Sequence, residues 1–87
     1  ENAFPNPFNP TTQIRYDLPE NEYVSIGIYN IMGERIKSLV NMNQFSGYHS
    51  VYWDATNYLG QSVSAGMYIY TIESGSYRQM KKMVLLK

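Results

Sequence analysis

The chain contains no cysteine and a single histidine, and its seven basic and seven acidic side chains cancel. Without thiols there is neither a disulfide framework nor a thiolate metal site, and redox compartment stays open. One imidazole cannot supply a metal-binding pair, and no serine or threonine stands beside a base in the manner of a triad. His49 therefore reads as a strand residue near solvent, not as a catalyst. The balanced charge is gathered nowhere into a stripe, which argues against a nucleic-acid footprint and against a polybasic membrane patch. No apolar run approaches the ~20 residues of a membrane span or the ~7–15 of a signal-peptide core. Glu1 opens the chain where a start methionine would stand, so we expect a piece of something longer.

The 87 residues are 44% hydrophobic, enough for one small core and not for two, because chains of this size bury only about two thirds of their unfolded surface. Nine tyrosines are the unusual component. Amphipathic rings in that number suit the half-wet surface of a sheet.

The pattern along the chain is that of strands. Ile14, Tyr16 and Leu18 alternate with Gln13, Arg15 and Asp17, the period-2 signature of a half-buried strand. Val24, Ile26 and Ile28 form a second inward row, ended by a turn at Asn30-Ile31-Met32-Gly33. "ERIKSLV" gives a third, in which Leu39 breaks the alternation and predicts a bulge or twist near the strand end. "NMNQFSG" reads as loop. "YHSVYWD" resumes the alternation with Val51 and Trp53 inward and His49 on their side at the wet end, and Trp53 is the largest core candidate. "DATNYLGQSVSAG" is turn-rich, with Asp54 and Asn57 suited to capping backbone, Gly60 and Gly66 suited to positive φ, and Val63 at the start of a very short strand. "MYIYTIES" and "YRQMKKMVLLK" flank Gly75 as a hairpin. With no 3.6-residue repeat, the expectation is an all-β, antiparallel, immunoglobulin-like sandwich of about seven strands. Residues 1–11 form a proline-rich leading segment, which Pro7 and Pro10 bar from helix, and residues 12–87 form the sandwich.

Candidate chemistry is sparse. Asp54, Asn57 and Gly60 have oxygen-bearing spacing, but the order of an EF-hand loop and its distal glutamate are missing, and an Asx turn explains them. Asp17, Glu20, Glu22, Asp54 and Glu73 lie on strand edges or turns, with no sign that two face each other across a cleft. No catalytic, metal or cofactor site is expected. Tyr23, Tyr29, Tyr52 and Tyr58 could form a sugar-stacking platform, weighed against ordinary cross-strand pairing of rings. Lys81, Lys82 and Lys87 would guard an edge strand against aggregation. The run Met83, Val84, Leu85, Leu86 is apolar on both faces, which is unusual for a terminal strand.

Three spaced fragments, "FPNPFNPTTQIRYDLP" at the start, "GMYIY" from Gly66 to Tyr70 and "KKMVLLK" at the end, resemble the C-terminal sorting domain of type IX secretion cargo proteins from Bacteroidetes-like bacteria. The intervening "YNIMGERIKSLV" and "WDATNYLGQSVSAG" resemble the middle strands of that family and also the immunoglobulin-like domain of the flagellar hook-capping protein. The resemblance spans essentially the whole chain. It places the family's Pro-Asn-Pro on Pro5, Asn6 and Pro7, its Gly-x-Tyr on Gly66 and Tyr68, and its basic-apolar final strand on Lys82 to Lys87. It implies a non-catalytic secretion signal, fused to an upstream cargo, that is read by an outer-membrane translocon and in many cases removed by a sortase-like peptidase. The implied location is the cell surface or the medium, by way of the periplasm. Exposed edge backbone and a protruding terminus would make the signal legible, with Lys81, Lys82 and Lys87 orienting the docking. In the leading segment, Phe8 would plug one end of the sandwich while Asn6, Asn9 and Pro10 help to order the junction with the cargo. A structural assembly module with weak self-association and a carbohydrate-binding module are the alternatives.

Overall fold

The structure, a computed structural model, describes residues 3, 7, 10–75 and 77–86. Six strands run through them: β1 Thr12–Leu18, β2 Glu22–Asn30, β3 Arg35–Gln44, β4 Gly47–Trp53, β5 Gly66–Ser74 and β6 Tyr77–Leu85. They form two antiparallel sheets, one of four strands in the order β3-β2-β5-β6 and one of two, β1-β4. The all-β sandwich expected from the alternation is therefore present with six strands, not seven. The stretch around Val63 forms only an isolated bridge, Thr56 with Ser62, because its backbone groups are spent on a tight loop and on the bond from Val63 N to Ala55 O.

Each strand delivers its alternate side chains to one core. β1 contributes Ile14, Tyr16 and Leu18, β2 contributes Val24, Ile26 and Ile28, and β5 contributes Tyr68, Tyr70 and Ile72, all buried. Trp53 at the end of β4 lies between the sheets and meets Tyr68 of the facing sheet edge-on, with ring centroids 5.2 Å apart and planes at 67°. Burying an aromatic of this size is worth a few kcal/mol in transfer terms alone, so Trp53 is a main tie between the layers.

The segment "NMNQFSG" departs from expectation. β3 continues through Asn41, Met42, Asn43 and Gln44, paired with β2 from Ser25 to Glu22, so most of it is strand. It reads as loop because Asn41, Met42 and Asn43 are all exposed. An edge strand far from the core can be polar on both faces and still be held by its backbone ladder. Only Phe45 and Ser46 then connect β3 to β4, and the chain changes sheets there instead of folding into a hairpin. The bulge expected at Leu39 is present: Ile26 pairs with Val40 and Gly27 with Ser38, which leaves Leu39 as the extra residue. It lies in the middle of the longer strand, and a second shift skips Ile36. β5 and β6 form the expected hairpin, paired continuously from Ser74 with Tyr77 to Gly66 with Leu85 and turning at Gly75, whose φ is +58°.

Candidate recognition surface at the tail end of the sandwich

The pairings bring several chain segments to one end of the molecule. Asn30 pairs with Tyr68 and Gly66 with Leu85, so the end of β2, the start of β5 and the end of β6 lie together. The Trp53–Tyr68 contact adds the end of β4, and Trp53 pairs with Thr12 at the start of β1.

Two loops at this end share one construction. In the first, Asn30 Oδ1 accepts from the amides of Met32 and Glu34, both at 3.0 Å, and Gly33 N donates to Asn30 O. In the second, Asn57 Oδ1 accepts from Leu59 N at 2.9 Å and Gln61 N at 3.1 Å, and Gly60 N donates to Asn57 O. Each has its glycine at positive φ, +83° at Gly33 and +77° at Gly60, which an L side chain rarely adopts. One asparagine thus satisfies two backbone donors that would otherwise need water. The equivalence is legible in the pentapeptides NIMGE and NYLGQ, although five residues are too few to stand out in a single sequence. The construction holds apolar pairs in solvent: Ile31 with Met32, and Tyr58 with Leu59, the methionine and the leucine about 80% exposed.

A polar relay anchors the second loop. Lys37 Nζ donates to Thr56 Oγ1 at 2.8 Å, and the Thr56 hydroxyl donates to Asp54 Oδ1 at 2.5 Å. That hydroxyl lowers the Asp54 carboxyl below its ordinary value, outweighing the opposing effect of burial, with a lesser contribution from the Lys37 charge. Trp53 Nε1 donates to Thr56 O at 2.9 Å, tying the same residue to the core. Asp54 and Asn57 therefore serve the turn that their spacing suggests.

The residues expected to carry recognition divide by face. Gly66 is exposed at the start of β5 with φ +144°, and Tyr68 is buried, its hydroxyl donating to Ser64 O at 2.7 Å. Met83 and Leu85 are core residues, Val84 and Lys81 are half-buried, Lys82 is exposed, and Leu86 is half-exposed just beyond β6. The run that is apolar on both faces thus has one face in the core and the other partly open. Pro7 and Pro10 are exposed, and Ala3 is buried with its backbone bonded to the Tyr70 hydroxyl. Lys87, Pro5, Asn6, Phe8 and Asn9 lie outside the described residues, so the plug expected of Phe8 does too.

Other candidates separate. His49 stacks on Tyr16, centroids 5.4 Å apart, and its Nε2 donates to Phe45 O at 2.7 Å, the environment of a packing residue. Tyr23 and Tyr29 lie on β2, Tyr52 on β4 in the other sheet and Tyr58 in a loop, so the four do not share a platform. The Tyr23 hydroxyl is bonded to Asn41 across the β2–β3 ladder.

The family model of the secretion system C-terminal sorting domain matches residues 2–86. The chain belongs to this family. Its sequence role is thus that of a type IX sorting signal, which goes with secretion to the cell surface or beyond. Solved structures agree in fold. The sorting domain superposes on dimeric latent PorU from Porphyromonas gingivalis with a TM-score of 0.74 at 22% identity, over 98% of this chain and 9% of that one. PorZ, a surface component of the type IX system of the same organism, gives 0.70 at 16% identity, over 99% and 11%. The hook-capping protein FlgD from Xanthomonas campestris gives 0.66 at 20%, over 94% and 59%. The sorting domain therefore spans about a tenth of PorU and PorZ. No curated protein matches it.

Proposed function

We propose that this sorting domain acts without catalysis, as a folded tag on an upstream cargo, and that the outer-membrane translocon reads the end of the sandwich carrying Leu86 and the two asparagine loops. The observation that carries this reading is the division of the final strand: Met83 and Leu85 lock it into the core while Lys82 and Leu86 stay accessible, beside the exposed pairs Ile31–Met32 and Tyr58–Leu59. A strand fixed by its inner face presents its outer face at little further entropic cost. Apolar side chains at the contact would supply affinity, and Lys81, Lys82 and Lys87 would orient the approach. Gly66 and Tyr68 act by positioning the start of β5 against Leu85 and Met83. Residues 1–11, with Pro5, Asn6, Pro7, Phe8, Asn9 and Pro10, form the junction to the cargo, and a sortase-like peptidase would cut there once the periplasm has been crossed.

The test is a reporter fused ahead of residue 1 and expressed in a bacterium with a type IX system. Leu86→Asp combined with Ile31→Asp should leave the melting transition of the isolated domain nearly unchanged, because both side chains are exposed. The same pair should trap the reporter in the periplasm. Normal surface display of the folded double variant would overturn the reading.

A further inference from the structure

The opposite end of the sandwich carries a second feature, which lies outside the proposed recognition surface. A cavity of about 510 Å³ opens between β1 and the β5–β6 hairpin, at the end away from Leu86. Its apolar part comes from Leu18 and Pro19 of β1 and its turn, and from Ile72 of β5, with the rings of Tyr16 and Tyr77 alongside. Two of the polar tips in the wall are already engaged. Tyr16 Oη donates to Gln44 Oε1 at 2.5 Å, and Tyr77 Oη donates to Gln79 Oε1 at 2.6 Å. Tyr16 is buried and stacked on His49, so Tyr77, exposed at the rim, is the phenol whose ring face is open to an incoming group.

The charge of this cavity is one-sided. Asp17, Glu20 and Glu22 line it, and among the described residues no lysine or arginine does. In a chain with as many cations as anions, three of the seven acidic side chains face one opening. Arg78, on the neighbouring stretch of β6, is directed to Glu73, 3.8 Å away on β5. Gly75 contributes by lacking a side chain: a Cβ there would come within 2.7 Å of Glu22 Oε2. The carboxylate of Glu22 is thereby allowed to lie against the β5–β6 turn, at the mouth of the cavity.

We infer that this cavity is a binding site for a lysine or arginine side chain, with an adjacent apolar residue, in an extended polypeptide. The carboxylates complement the cationic head, the Tyr77 face attracts a cation at close range, and the Leu18–Ile72 surface takes the aliphatic stem and its neighbour. A cavity of a few hundred Å³ accommodates a ligand of that size. The flanking strand β1, paired by β4 on one side, supplies a straight border along which an extended segment can lie. The site is separate from the tail end, so it stands or falls independently of the sorting role.

The probes are two capped tripeptides, Leu-Lys-Leu and Leu-Gln-Leu, titrated into the isotopically labelled 87-residue domain while backbone amide shifts are followed. Saturable shifts should centre on Leu18, Ile72 and Ser74, with the lysine peptide binding about tenfold tighter than its glutamine counterpart, a difference of about 1.4 kcal/mol. The preference should shrink as salt is raised. Glu20→Gln with Glu22→Gln should remove most of it while leaving the dispersion of the spectrum intact, since Glu20 is exposed and Glu22 half-exposed. Equal response to the two peptides, no saturable shift, or lysine binding that survives the double substitution would overturn the assignment. Self-association abolished by the same substitutions would support it, with the lysine-bearing tail of a second copy as the extended segment.

Discussion

Trp53 and Tyr68 meet edge to face across the two sheets, and each also sends its polar atom to a backbone carbonyl, Trp53 to Thr56 and Tyr68 to Ser64. The pair thus fixes the layer spacing and pins both ends of the long β4–β5 connection. Trp53→Ala should destabilise the domain by about 3–5 kcal/mol, through lost transfer energy and a cavity that the surrounding strands cannot close. Trp53→Phe should cost less, yet it still strands the Thr56 carbonyl. Urea unfolding of the three proteins checks this, and a loss for Trp53→Ala below about 1 kcal/mol would show that the sheets are held elsewhere.

The two asparagine loops look alike but predict different responses to aspartate. At Asn57 the side chain is used through Oδ1 as an acceptor of two amides, so Asn57→Asp preserves both bonds. At Asn30 the amide nitrogen also donates to Glu34 Oε1 at 2.8 Å, and Asn30→Asp would set two carboxylates against each other. Alanine at either position should cost about 1–2 kcal/mol, as loss of a capping side chain does. Thermal melts should rank Asn30→Asp near Asn30→Ala, and Asn57→Asp near the parent.

That contrast also marks where sequence reading stops. β1, β2 and β4 are legible because one face of each is buried against a single core, and the alternation of Ile14, Tyr16 and Leu18 with charged neighbours can only be a half-wet strand. The far half of β3 is not legible. Asn41 to Asn43 are exposed, and what holds them is a backbone ladder that leaves no trace in composition. The change of sheet at Phe45–Ser46 is hidden for a related reason, since a two-residue link between strands usually means a hairpin. Of the proposed recognition surface, Gly66 and the tail residues stand out in the sequence by their pattern, whereas their placement beside Ile31, Met32, Tyr58 and Leu59 depends on which strand ends the topology gathers. The acidic cavity combines residues near 16–22 with residues near 72–79, a pairing that no local pattern contains.

Titration gives a third expectation. Asp54 has its folded pKa lowered, mainly by the Thr56 hydroxyl, so it contributes stability that is present above the ordinary carboxyl value of 3.8 and is lost as pH falls through the lower folded value. Thr56→Val should raise that pKa toward 3.8 and flatten the acid limb of the stability curve, followed by carboxyl carbon NMR and by urea midpoints in acid. Tyr16 and Tyr70 behave oppositely. Burial raises both above the ordinary 10.0, and for Tyr70 the hydrogen bond to the Ala3 backbone offsets this only in part. Their stabilisation is complete below that value and disappears as pH rises through the higher folded values. Phenolate absorbance should therefore show a late fraction that titrates together with alkaline unfolding.

The final strand is where stability and recognition can be separated most cleanly. Leu85 is 1% exposed and packs in the core, while Leu86, the next residue, is 49% exposed. Leu85→Ala should cost about 2–5 kcal/mol, the range for a buried leucine, and any loss of export would then follow from unfolding. Leu86→Ala should fall within about 0.5 kcal/mol of the parent, as surface substitutions do. If the outer face of the tail is what the translocon grips, the second substitution should lower export although the domain remains folded. Chemical denaturation and reporter display measured on both variants distinguish the cases: parallel losses in the two assays mean that the strand matters only as part of the core, whereas a loss of display without a loss of stability assigns recognition to the exposed side chain.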